Sequence, residues 1–210
     1  MMAGGIFLKR EEKTKLTRER IITAAIEEFG TKGYAAASIN NVCDKGIAKG
    51  LIYHNFENKD ALYLKCLEIC FHELTEALRE TAEQGDFHVY ITARAAFFKQ
   101  NKNMAGMVVE SLVHPPQKHM EVIAVMRKQY DEMNLRIFEK ILDSNHLRDG
   151  IDSEGATNYF LMLQNMFNWY FTSPSLGGGG VDSVAQAHED ILPKMIDYMF
   201  YGILKEEDAP

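Results

Sequence analysis

Apolar residues recur at spacings of three and four along the chain, the periodicity of helices rather than strands. Ile22, Ala25, Ile26 and Phe29 form a first stripe. Thr17 is placed to cap the start of that helix, and Gly33 to end it, since glycine enters the left-handed conformation without a Cβ penalty. Ser38 is the next N-cap candidate, with Ile39 and Val42 pointing inward from a short second helix that ends near Lys45. Gly46 supplies a turn and Ile47 plugs it. A third helix is predicted from about Ala48 to Asn55, anchored by Ile52 and Phe56, four residues apart. Asn58 then caps a fourth helix through Leu62, Cys66, Ile69, Cys70 and Ala77. Three short helices around so few apolar residues make a thin core, so the fourth is expected to support them.

Beyond Leu78, breaks at Gly85-Asp86, 101–103, Pro115-Pro116, 145–150 and 173–182 divide the chain into five further helices. They are predicted near 88–100, 104–112, 117–144, 153–172 and 184–204. The fold class is therefore all-α, without an internal repeat. The helix over 153–172 carries two stripes: Ala156, Tyr159, Phe160, Leu163, Phe167 and Tyr170 on one side, Met162, Met166 and Trp169 on another. A helix apolar on two sides must be covered on both. The last helix repeats the situation, with Ile191, Leu192, Met195, Met199 and Ile203 beside Ile196, Tyr198 and Phe200. Two such helices would form a four-helix bundle with those of a second copy, making the chain a homodimer. Pro193 should kink the last helix or mark its true start. The run Gly177-Gly178-Gly179-Gly180 reads as a flexible connection; no strand precedes it and no Lys-Ser/Thr follows, as a phosphate loop would need.

The second and third helices, joined at Gly46, have the form of a helix-turn-helix, whose second helix enters the DNA major groove. Lys49, Gly50, Tyr53 and His54 remain on the outer face of that helix. Lys49 suits phosphate or guanine acceptors, Gly50 permits close backbone approach, and Tyr53 and His54 suit phosphates. Asn40 or Asn41 can reach from the second helix, and Thr17, Ser38 and Lys59 stand at expected helix starts, where backbone N–H groups favour phosphate.

The run from Thr17 to Leu62 resembles the tetracycline-repressor (TetR) family of bacterial regulators. The matching pieces, in order, are Thr17-Arg18-Glu19-Arg20-Ile21, Phe29 with Lys32-Gly33-Tyr34, Ser38-Ile39, Gly46-Ile47, Lys49-Gly50, Ile52-Tyr53-His54 with Phe56, and Asn58-Lys59-Asp60-Ala61-Leu62. The resemblance covers about the first quarter of the chain. It implies a three-helix DNA-binding head over residues 1–58 and a helical effector-binding and dimerisation domain over 59–210, dimerising through its last two long helices. The implied partners are a double-stranded DNA operator, a second copy and a small-molecule effector. Four positions depart from the family pattern: Ala48 replaces a capping serine, Leu51 a threonine, Asn55 an aromatic residue, and Cys43 a small residue, usually alanine. The lost cap costs about 1 kcal/mol, and Leu51 can still touch a thymine methyl.

Charge is unevenly placed. Residues 1–59 hold ten Lys/Arg against seven Asp/Glu, +3, and the remainder 13 against 23, −10, giving the total of −7. A basic head and acidic body would orient the molecule on a polyanion. No apolar run approaches a membrane span, and Ile6-Phe7-Leu8 is too short for a signal-peptide core. Cys43, Cys66 and Cys70 fit a reducing, cytoplasmic location. Cys66 and Cys70 share a helix face at a Cβ spacing of about 5–6 Å, wider than a disulfide allows, and read as buried inert thiols.

The body is rich in methionine and aromatics, which suit an adaptable pocket and equally an ordinary core. Phe97, Met104, Met107, His114, Met126, Tyr130, Met162, Met166 and Trp169 are the effector-pocket candidates. His114 and His119 flank Pro115-Pro116 with Glu110 and Glu121 nearby, but the spacing matches no zinc pattern, so no metal or cofactor is expected. No arrangement for nucleophilic or acid–base catalysis stands out. The expectation is a ligand-responsive transcriptional regulator, most simply a repressor released from a palindromic operator by a small apolar or aromatic effector, and not an enzyme. The rival is a helical protein-interaction module on the same fold, favoured by the changes at Ala48 and Leu51.

Overall fold

The computed structural model describes residues 4–173 and 180–202, and every regular element among them is helical. Gly177–Gly179 and Ile203, read above as part of a loop and of the last stripe, lie outside the described residues. The helices are α1 (Gly4–Ala36), α2 (Ile39–Cys43), α3 (Lys49–Asn55), α4 (Lys59–Gln84), α5 (Phe87–Gln100), α6 (Lys102–Val113), α7 (Met120–Ser144), α8 (Ser153–Tyr170) and α9 (Val181–Tyr201), with a 3₁₀ turn, Gln117–His119, leading into α7.

The first helix starts well before Thr17. Thr17 lies inside α1 and its hydroxyl donates to the Lys13 carbonyl at 2.8 Å, so it is not an N-cap. The preceding Lys/Arg/Glu run consists of good helix formers and carries the helix back without needing a cap there. Gly33 breaks α1, at φ 74° and ψ 164°, but the chain resumes helical geometry to Ala36. The other caps follow the sequence. Ser38 Oγ accepts from the Asn41 N–H at 3.3 Å, and Asn58 Oδ1 from the Ala61 N–H at 2.9 Å. Ala48 holds the N-cap position of α3 with no side-chain bond to offer. α9 runs through Pro193, so that residue does not mark a start; its ring removes one backbone bond inside the helix.

The core is continuous from head to body. Ile21, Ala25, Phe29, Val42, Ile47, Ile52 and Phe56 pack in one cluster with Leu62, Tyr63, Cys66 and Leu67 of α4, and the cluster continues through Leu74, Tyr90, Met107 and Ile137. The thin head thus completes its core on α4, which in turn packs on α5, α6 and α7. α1 also crosses α6 with the two backbones touching. A Cβ on Gly30 would lie 2.2 Å from the Asn103 carbonyl oxygen, and one on Gly106 would lie 2.2 Å from the Gly30 carbonyl oxygen. A second cluster, Val109, Val113, Phe167, Phe171 and Ala185, joins α6 to α8 and α9.

Candidate nucleic-acid interface and body cavity

α3 is held by Ile52, 1% exposed, and by the buried Phe56 that follows it. Its remaining face is open: Lys49, Gly50, Leu51, Tyr53 and His54 are all exposed, Leu51 and Tyr53 by 44% and 48%. A Cβ on Gly50 would meet nothing within 4 Å, so this fold does not itself require glycine there. Asn40 is exposed at the start of α2, and its Oδ1 accepts from Lys49 Nζ at 3.1 Å, linking the two helices. Asn41, also exposed, is tied back to α1, donating from Nδ2 to Glu28 Oε1 at 2.7 Å. The same oxygen accepts from the Ser38 N–H at 3.0 Å, so Glu28 fixes the start of α2. Glu28 was not singled out in the sequence; its one signal is a charged residue four positions after Ala24, on the apolar side of α1. Lys59 opens α4 with its ammonium 4.7 Å from the Tyr34 ring centre. Thr17 is half-buried in mid-helix, away from any helix start.

Head and body meet around Tyr34. Its hydroxyl donates to Asp60 Oδ1, and Asp60 Oδ2 accepts from Lys118 Nζ at 2.5 Å. Those two bonds hold the Asp60 carboxyl below its usual range, at about 2. On the other side, the Tyr34 backbone N–H, just past the break at Gly33, donates to Glu110 Oε1 of α6 at 2.7 Å. Glu110 Oε2, Tyr63 Oη and His119 Nε2 are buried without hydrogen-bond partners. Burial pushes the Glu110 carboxyl up to about 7, against the Tyr34 amide and Lys59, which favour its charge.

The body contains a cavity of about 60 Å³ among α5, α6, α7, α8 and α9. Phe87, Ile91, Phe160, Phe167, Met195 and Met199 supply apolar wall; Arg94, Tyr130, Asn134, Asn168 and His188 supply polar groups. Arg94 is nearly fully buried. Its Nη1 donates to Glu189 Oε2 and its Nε to Tyr130 Oη at 2.8 Å. His188 has Nδ1 2.9 Å from Glu189 Oε1 and Nε2 3.2 Å from Asn168 Oδ1, and burial above all pushes its pKa down. Tyr90 Oη donates to Asn134 Oδ1 at 2.5 Å.

Of the pocket candidates, Tyr130 alone lines this cavity. Met107 is fully buried against Cys70, while Phe97, Met104 and Met126 pack on the main core. His114 is exposed at the C-cap of α6. Met162, Met166 and Trp169 lie on the outside of α8, 51%, 57% and 75% exposed. Residue type alone does not separate these places: methionine serves core, cavity and surface alike, and the cavity's own polar groups, Arg94, Asn168 and His188, carry no local motif. Cys66 and Cys70 are free and buried, and burial raises both thiols, that of Cys70 to about 12. Among the described residues no group of three or more His, Cys, Asp or Glu could hold a metal ion. Nor is any helix among them long and apolar enough to cross a membrane.

A short helix fastened over a shared core, its polar face open, on a larger helical body defines a helix-turn-helix transcriptional regulator. Residues 21–66 match the family model of bacterial regulatory proteins, tetR family, over nearly the same stretch that carries the resemblance in the sequence. The biofilm operon icaADBC HTH-type negative transcriptional regulator IcaR of Staphylococcus epidermidis is 22% identical over 160 residues, 73% of this chain and 82% of that protein. An uncharacterised HTH-type transcriptional regulator of Bacillus subtilis, YerO, is 42% identical over 52 residues, 24% of this chain and 18% of that one. Among solved structures, the transcriptional regulator FadR of Bacillus subtilis in complex with stearoyl-CoA superposes with a TM-score of 0.60 at 16% identity, covering 89% of this chain and 99% of that one. The TetR-family regulator PfmR of Thermus thermophilus gives 0.55 at 21%, covering 83% and 97%. At these identities the structures share the fold.

Proposed function

We propose that the protein is a homodimeric repressor that leaves a palindromic operator when a small apolar effector enters its body. The open face of α3 carries this reading: Lys49, Leu51, Tyr53 and His54 project from a helix whose other side is buried in the core. Two such heads would read successive major grooves, with half-sites about 34–36 Å apart or a multiple of that. Residues 1–58 are assigned to DNA and 59–210 to effector and dimer, with α4 shared between them. Repression is supported by the negative regulator among the relatives.

Effector binding is assigned to the Arg94–His188 cavity rather than to the methionine set. Arg94 and Glu189 cancel each other's charge, so the site favours an uncharged apolar body with one hydrogen-bonding group. At about 60 Å³ it has room for roughly four or five waters. A larger ligand, such as the stearoyl-CoA of the FadR neighbour, would need a wider cavity, and the flexible side chains of Met195 and Met199 in its wall suit such widening.

The test is selection of random duplex DNA by the purified protein at near-physiological salt. An enriched palindrome whose affinity falls steeply with salt supports the reading. A folded dimer that enriches nothing, with or without candidate effectors, would favour a protein partner for the uncapped, leucine-bearing α3.

A further inference from the structure

We propose that Glu110 is the residue through which the body sets the position of the head, and that it does so by taking up a proton as the junction closes. The proposal rests on the regulator reading for its consequence at DNA, but its geometry stands alone. Glu110 lies on α6, part of the body, yet its Oε1 accepts the backbone N–H that follows the break at Gly33. That amide belongs to Tyr34, whose segment leads within four residues to Ser38, the cap of α2. Gly33 has no room for a side chain: a Cβ there would sit 2.5 Å from Glu110 Oε1 and 3.0 Å from Val181 of α9. The carboxylate is thus seated in the break of the helix that carries the head.

The second oxygen gives the seat its proton dependence. Glu110 Oε2 is buried with no partner, and the neighbouring Tyr63 Oη is buried with none either. The groups around Glu110 are few. α1 brings Tyr34; α4 brings Lys59 and Tyr63, with Asp60 bonded to the Tyr34 hydroxyl; the turn before α7 brings Lys118 and His119 against the Tyr34 ring; α9 brings the aliphatic Val181. Asp60 is already satisfied by Tyr34 and Lys118. Lys59 alone among these side chains adds an attraction to the Glu110 charge, and burial outweighs it. An ionised Glu110 is therefore costly while the junction is closed and regains water when it opens.

The direction follows from linkage. The closed junction holds the carboxyl at about 7 and an open one leaves it near its ordinary 4.5. Closure therefore binds a proton, and the open population grows about tenfold between pH 6 and pH 8. Glu110 is a positioning residue: it touches no DNA, and acts by holding the Tyr34 amide.

Hydrogen exchange on the full-length protein tests this. In the unaltered protein, exchange of the 34–38 amides, corrected for the intrinsic pH effect, should rise about tenfold from pH 6 to pH 8. E110Q keeps an acceptor for the Tyr34 N–H but cannot ionise, and its corrected exchange should be flat. Equal pH dependence in the two proteins overturns the proposal. Carbon NMR of labelled glutamate in the unaltered protein checks it without a variant: a Glu110 midpoint near neutrality supports it, and one near 4.5 sinks it. On a selected duplex, the ratio of wild-type to E110Q affinity should shift several-fold over the same range, and a constant ratio removes the link to DNA. If neither protein binds DNA, the regulator reading fails, while exchange still decides the junction.

Discussion

Ala48 stands at the N-cap of α3 without a side chain that can accept the orphaned amides of the first turn. Ala48→Ser supplies that acceptor, and should raise stability by about 1 kcal/mol in a denaturant titration of the head and α4 signals. If the midpoint does not move, some other group already satisfies those amides. Glu28 predicts the opposite. It holds both the Ser38 amide and the Asn41 side chain at the start of α2, and is 6% exposed. Glu28→Ala removes the acceptor of two part-buried hydrogen bonds and should cost about 1 kcal/mol, read as a lowered melting temperature. Glu110 adds a pH dependence to stability. Its folded pKa, about 7, lies above the unfolded value of 4.5. The folded protein binds the proton more tightly, so this contribution is complete below about 4.5 and is lost as pH rises through 7. The stability of E110Q relative to the unaltered protein should therefore grow by on the order of 3 kcal/mol from pH 4.5 to 8 and then level off. Parallel pH curves for the two proteins would contradict the assignment.

At the scale of elements, the crossing of α1 and α6 is the tightest constraint in the fold. Gly30 faces the Asn103 backbone and Gly106 the Gly30 backbone, with no space for a methyl group at either. Gly30→Ala or Gly106→Ala must push the helices apart, and the neighbours that would have to yield are main-chain atoms. Each should cost upward of about 1–3 kcal/mol and loosen the Tyr34–Glu110 seat, seen as faster exchange at the junction before global unfolding. Nothing in the sequence announced this crossing, because the contact joins positions about seventy residues apart and glycine inside a helix reads only as a local weakness. What the sequence did carry was local: the α3 anchor at Ile52 and Phe56, the caps at Ser38 and Asn58, and the breaks between the body helices. Thr17 failed as a cap because strong helix formers continue upstream of it. The cavity residues were missed for a tertiary reason. Arg94, Asn168 and His188 come from three helices, and each looks ordinary until the bundle brings them together.

For the whole molecule, the open question is what covers α8 and α9. Tyr159, Met162, Met166 and Trp169 of α8 are 48%, 51%, 57% and 75% exposed, and Tyr198 and Tyr201 of α9 are 54% and 80% exposed. Apolar side chains of this size, concentrated on two neighbouring helices, mark an interaction face rather than ordinary scattered exposure. A second copy can cover it symmetrically, since two helices from each chain make a four-helix bundle with the same patch on both sides. The opposite end of the chain then fits the same plan: with α8 and α9 paired about a two-fold axis, each dimer presents two α3 helices. Met166→Asp with Trp169→Asp places two carboxylates at the centre of that bundle, where pairing would bury them unpaired. Both positions are exposed in the single chain, so helicity and melting of the monomer should change little. Sedimentation should shift from dimer to monomer at micromolar concentration. Affinity for a full palindrome should fall by orders of magnitude, because the second head no longer arrives at high effective concentration, while binding to a single half-site stays as weak as before. A double variant that remains a dimer would move the interface elsewhere. One that becomes a monomer yet keeps its palindrome affinity would show that the two heads bind independently.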